Sequence, residues 1–243
     1  MSPMADGPAG APLWFLCLHG LGGSSRTLEP LVEGLRRAGH SVEVPVLAGH
    51  DDTLEAMAGA GWDDWMASAQ SAIDRMSANG ANGLVLVGQS IGATIALTLA
   101  GRGVACSGIV CINPVVLPPD PDVVEHLEGL LERGRTYMRV GPPDIIDPTV
   151  HEEAFEELPV RSLLEQARGL DELNAVLAQI TQPVHIATSA NDSVTDPANS
   201  DHLAAALPCR VTRVLLPSGG HVATLDLDRD LLLSSVLEFA ASL

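Results

Sequence analysis

Leu84-Val85-Leu86-Val87-Gly88-Gln89-Ser90-Ile91-Gly92-Ala93-Thr94-Ile95-Ala96-Leu97 passes from an apolar run, through a serine between glycines, into a run of small residues. The first four residues suit a strand buried on both faces, and residues 90–100 suit a helix whose small side chains pack closely on a sheet. A turn this sharp tolerates no bulk two residues before or after the serine, where Gly88 and Gly92 stand. Its tip lifts the hydroxyl clear of the sheet and points the next N–H groups at whatever that oxygen attacks.

Similar apolar runs bounded by turn residues occur at 13–18, 41–46, 108–113, 184–189 and 211–216, and helical patterns fall at 28–38, 63–77 and 231–241. Apolar strands alternating with helices predict an α/β fold, a mostly parallel central sheet covered on both faces. Residues 116–181 break the alternation with helical patterns, Pro-punctuated and without a convincing strand, over about twice the length a simple crossover needs. They are expected to form a helical cap, or lid, over a core of residues 13–115 and 182–243. Leu127, Leu130, Leu131 and Met138 would then line an acyl pocket, although lid packing alone accounts for each. Residues 1–12, rich in Pro, Gly and Ala, read as a loose leader rather than a signal peptide.

The 243 residues lie near the upper limit for one hydrophobic core. The formal charge is 13 − 31 = −18, and every one of the thirteen basic residues is arginine. Such a surface repels phosphate backbones and anionic lipids, which argues against nucleic-acid partners, and no run is long enough for stable membrane insertion. An uncharged small molecule meets no such barrier. Cys17, Cys106, Cys111 and Cys209 contain no Cys-x-x-Cys pair and read as reduced thiols of a cytoplasmic protein, without a metal site. Nothing distinguishes a monomer from a homodimer.

A serine hydroxyl needs a base, and eight histidines are available. His40, His126, His151 and His202 read as surface or packing residues, and His185, inside an apolar strand, as a satisfied core histidine. His221 follows Ser218-Gly219-Gly220 on a flexible loop directly after the last strand, at the carboxyl edge where Ser90 also lies. Asp192, after the strand at 184–189, is the carboxylate expected to orient the imidazole, with Asp196 its rival; Asp226 and Asp228 read as surface. The oxyanion of a tetrahedral intermediate needs two donors. The backbone N–H groups of Ile91 and of Leu21, in His19-Gly20-Leu21-Gly22-Gly23, are the candidates, with His19 bracing its loop.

These segments, together with Gly49-His50, Trp62-Asp63-Asp64-Trp65, Asp196-Pro197 and residues 218–225, resemble bacterial carboxylesterases and monoacylglycerol lipases of the α/β-hydrolase superfamily. The likeness spans residues 13–243. It implies a small lid over an apolar pocket, a Ser90–Asp192–His221 triad, hydrolysis of short- to medium-chain acyl esters or monoacylglycerols, and no cofactor. One departure stands out: Gly49-His50-Asp51 replaces the Gly-His-Gly of many relatives. The same triad also serves thioesterases, acyltransferases and perhydrolases, and the fold also serves non-catalytic ligand-binding proteins. Epoxide hydrolases and dehalogenases carry aspartate where Ser90 stands.

Overall fold

A computed structural model of the chain describes residues 12–50, 52–118, 120–152 and 155–243. The leader expected at 1–12 thus falls almost wholly outside the described residues, as does Asp51. Six parallel strands form the central sheet: β1 (Trp14–Leu18), β2 (Ser41–Glu43), β3 (Leu84–Gln89), β4 (Gly108–Ile112), β7 (Val184–Ser189) and β8 (Val211–Leu216). Their spatial order is β2-β1-β3-β4-β7-β8. Every strand read from the sequence is present, with β2 shorter than its apolar run.

Each face of the sheet carries its own core, because strand side chains alternate between faces. Leu16, Leu86, Ile109 and Ile186 point to one side, where they meet α3 (Trp62–Ala78), α4 (Ile91–Gly101) and α6 (Val160–Val176). Phe15, Val85, Val110 and Ala187 point to the other, against α1 (Glu29–Arg37) and α8 (Arg229–Ala241). With few aromatics, close approach replaces bulk. All eleven residues of α4 are buried, and a Cβ at Gly169 of α6 would stand 2.4 Å from the Trp62 ring.

The chain reverses its direction across the sheet between β1 and β3. Loops leaving two such strands diverge and open a crevice at their carboxyl ends. The loops that carry Leu21 and Ser90 flank this crevice.

Between β4 and β7 the structure corrects the all-helical expectation. Two helices, α5 (Pro121–Glu132) and α6, are present, but so is a two-stranded antiparallel ribbon of β5 (Tyr137–Arg139) and β6 (Glu157–Pro159). Three-residue strands are too short to show a period of two in sequence. The remaining α-helices are α2 (Leu54–Gly59) and α7 (Ala198–Ala206), with short 3-10 helices at Ser25–Leu28 and Leu177–Gln179. No helix among the described residues is long and apolar enough to cross a membrane.

Candidate active site

Ser90 sits at the tip between β3 and α4 with φ 55° and ψ −121°, a left-handed backbone that non-glycine residues rarely adopt. Its N–H bonds to the Ile112 carbonyl at 2.9 Å, which ties the strained turn to β4. The flanking glycines answer to space rather than to φ. A Cβ at Gly88 would lie 2.2 Å from the Gly92 carbonyl group, and one at Gly92 would lie 2.3 Å from the Leu18 carbonyl oxygen. Gly20 packs against Ser90, its hypothetical Cβ 3.5 Å from that of the serine. Leu21, the next residue, lines the same cavity, and Ile91 opens α4, where the first N–H groups have no intrahelical acceptor.

His221 places Nδ1 2.8 Å from Asp192 Oδ2, with the two side chains 10% and 2% exposed. The other Asp192 oxygen accepts the N–H groups of Val194 and Thr195. A carboxylate held this way keeps the imidazole proton on Nδ1 and leaves Nε2 as the basic nitrogen. Asp196 instead accepts the Ala198 N–H at the start of α7, a turn role. His221 and Ser90 line one cavity of about 750 Å³. No hydrogen bond joins them among the described residues; in unliganded sites such contacts are commonly loose.

The loop bearing His221 is not the flexible tether its glycines suggested. Gln89 and Asn113 donate to the His221 carbonyl. Asp228 accepts the N–H groups of Ser218 and Gly219, and Asp226 those of Gly220, Ile146, Asp147 and Leu227. Both aspartates, expected at the surface, are buried because the chain folds them back under this loop, giving its N–H groups their acceptors. Burial pushes the Asp226 carboxyl up, but its backbone donors together outweigh that and hold it below the usual range. Their alternation with leucines in Leu225-Asp226-Leu227-Asp228 gave no hint of this, since it matches a surface loop equally well.

His19 braces its loop as expected: Nε2 accepts the Leu47 N–H at 3.1 Å and Nδ1 lies 2.9 Å from the Gly20 carbonyl. Its ring meets His50, which in turn meets Trp65. His185 is a core histidine, bonded to Thr212 and Ser235 and stacked on Phe239. All four cysteines are free, and burial pushes the Cys17 and Cys106 thiols up to about 12.

The predicted acyl-pocket residues are elsewhere. Leu127, Leu130, Leu131 and Met138 are not among the described residues lining the cavity; α5 packs on α6, and Met138 pairs with Leu158 in the ribbon. The apolar wall comes from Val115, Leu117, Val140, Ile145, Leu158 and Leu163. Val140 and Ile145 belong to the irregular connection between β5 and β6, whose Pro-rich course has no period to read. Glu152 also faces the cavity; burial raises its carboxyl, opposed by the charge His221 can carry.

A serine on a strand–helix elbow beside a paired histidine and aspartate, at the switch point of a parallel sheet covered on both faces, defines an α/β-hydrolase. Residues 13–228 match the family described as "Serine aminopeptidase, S33", and the chain belongs to that family. It is 32% identical to a thermostable monoacylglycerol lipase of Bacillus sp. (strain H-257), over 95% of this chain and 91% of the relative. A carboxylesterase of Bacillus subtilis (strain 168) is 26% identical, over 94% and 92%. A solved structure reported for the metagenome-derived lipolytic enzymes LipS and LipT superposes with a TM-score of 0.89 at 27% identity, covering 96% of this chain and 95% of that one.

Proposed function

We propose that this chain hydrolyses short- to medium-chain carboxylic esters or monoacylglycerols through an acyl-enzyme on Ser90. The observation that carries this reading is the His221–Asp192 pair opening, with Ser90, into one cleft with an apolar wall. His221 Nε2 takes the Ser90 proton as Oγ attacks the ester carbonyl. The Leu21 and Ile91 N–H groups hold the oxyanion, and the imidazolium returns its proton to the departing alcohol. Water activated by the same nitrogen then releases the acid.

The segment between β4 and β7 serves as the cap, with its β5–β6 connection forming the roof. The apolar wall suits an acyl chain, while Glu152, Gln166 and Ser193 suit an alcohol that carries further hydroxyls. The lipase and carboxylesterase names of the relatives support esters over peptides.

A chain-length series of p-nitrophenyl esters and monoacylglycerols, run beside thioesters and an aminoacyl anilide, tests the reading. Ester turnover that falls by at least about 10³-fold in Ser90→Ala is expected. Preference for the thioester or anilide would overturn the substrate class, and residual turnover in Ser90→Ala would overturn the nucleophile.

A further inference from the structure

We infer that Asp144, carried by the segment between β4 and β7 rather than by the core, is a positioning residue that aligns the base loop with the acid loop. The inference rests on the triad reading above. A single oxygen, Asp144 Oδ2, accepts the N–H of His221 at 2.9 Å and the N–H of Ser193, next to Asp192, at 2.8 Å. The Asp144 carbonyl accepts the Val222 N–H at 3.2 Å. Asp144 therefore clasps the base on both sides and ties it to the residue beside its carboxylate partner.

Three further observations make this a built contact. Gly220 leaves room for it: a Cβ there would stand 2.7 Å from the Asp144 carbonyl oxygen and 2.9 Å from its carboxyl group. The φ of Gly220 is not positive, so space rather than backbone freedom calls for glycine. Asp226, from the core, holds the next two residues but one through the Ile146 and Asp147 N–H groups, fixing the arm from below. Among the described residues no arginine pairs with Asp144, so its charge is directed at backbone donors. Of the His221 backbone itself, core side chains hold only the carbonyl, through Gln89 and Asn113. The N–H side of the base depends on Asp144.

The two donors converge on one oxygen, so asparagine can present a carbonyl in the same place and alanine cannot. Glutamate keeps the charge but carries it one methylene too far. The test measures kcat and KM on a p-nitrophenyl ester, the rate of Ser90 phosphonylation by an organophosphate, and the thermal midpoint. Asp120→Ala, which removes an aspartate capping α5 away from the cavity, is the control.

Loop misplacement of this kind costs on the order of 10²-fold in kcat with little change in KM, expected for Asp144→Ala. Ser90 phosphonylation slows in parallel. Asp144→Asn recovers most of the rate, Asp144→Glu does not, and Asp120→Ala turns over like the parent. Wild-type kcat in Asp144→Ala or Asp144→Glu overturns the inference, as does an Asn variant no better than Ala. Should the alanine variant fail to fold, the Asn–Glu contrast alone decides. A parent protein that is never labelled at Ser90 defeats the triad reading instead, without any Asp144 variant being made.

Discussion

Ser90 shows how a local conformation is imposed from outside. Its φ of 55° is unfavourable for any residue with a Cβ, and it persists because β3 and α4 are both anchored. The glycines at 88 and 92 are required by contacts only 2.2–2.3 Å from a hypothetical Cβ, all to main chain that cannot step aside. Gly92→Ala should therefore destabilise the fold by about 3 kcal/mol, the upper end of ordinary overpacking, and abolish activity with it. Chemical denaturation checks this; an unchanged midpoint would mean that Leu18 can move. The motif was readable because sterics demand small residues at those places. The positive φ of Asn113 (44°) leaves no such mark in the sequence, since an asparagine ending a strand has many other uses.

At the scale of elements, the sequence reading succeeded where side chains repeat with a period and failed where they do not. β7 is the clearest success, including the histidine within it. Ser235 gives its hydroxyl proton to the Leu232 carbonyl, so His185 Nε2 must donate to Ser235 and Nδ1 must accept from Thr212. Burial lowers the His185 pKa to about 4. The unfolded chain binds this proton near pH 6.5 and the folded chain does not, so stability falls as pH drops through that interval. The loss should reach roughly 2–3 kcal/mol by pH 4 and level off there, as read from denaturation midpoints at stepped pH. The segment between β4 and β7 is the contrasting failure. Truncating Leu158 or Leu163 to alanine should raise KM for long acyl esters, whereas Leu130→Ala and Leu131→Ala should leave KM near that of the parent. The opposite ranking would return the acyl wall to α5.

For the whole molecule, charge and acid sensitivity follow from how the carboxylates are distributed. With a net charge of −18, most acidic groups repel one another across the surface. An ester bearing a carboxylate should gain kcat/KM as salt is raised from low to physiological ionic strength, while an uncharged ester of equal chain length should not. Equal salt responses would show that the cavity mouth escapes the overall field. Asp226 belongs to a different set. Its depressed pKa means its contribution to stability is complete above about pH 4 and is lost as pH falls further, so acid unfolding should steepen below that point. Asp226→Asn should remove the steepening.

The strand runs, the elbow and the chain order of Ser90, Asp192 and His221 were legible in one dimension, because periodicity and steric exclusion act between residues close in sequence. The same local rules could name His221 and Asp192 but not what holds them. Asp144, Asp226 and Asp228 reach backbone donors through loops without any period, and an aspartate in such a loop looks like a solvated one until its partners are known. The apolar lining of the cavity was misplaced for the same reason. Hydrophobic stripes mark which residues leave water, but which cavity they face depends on how helices and ribbons pack, and that is settled by contacts between residues distant along the chain.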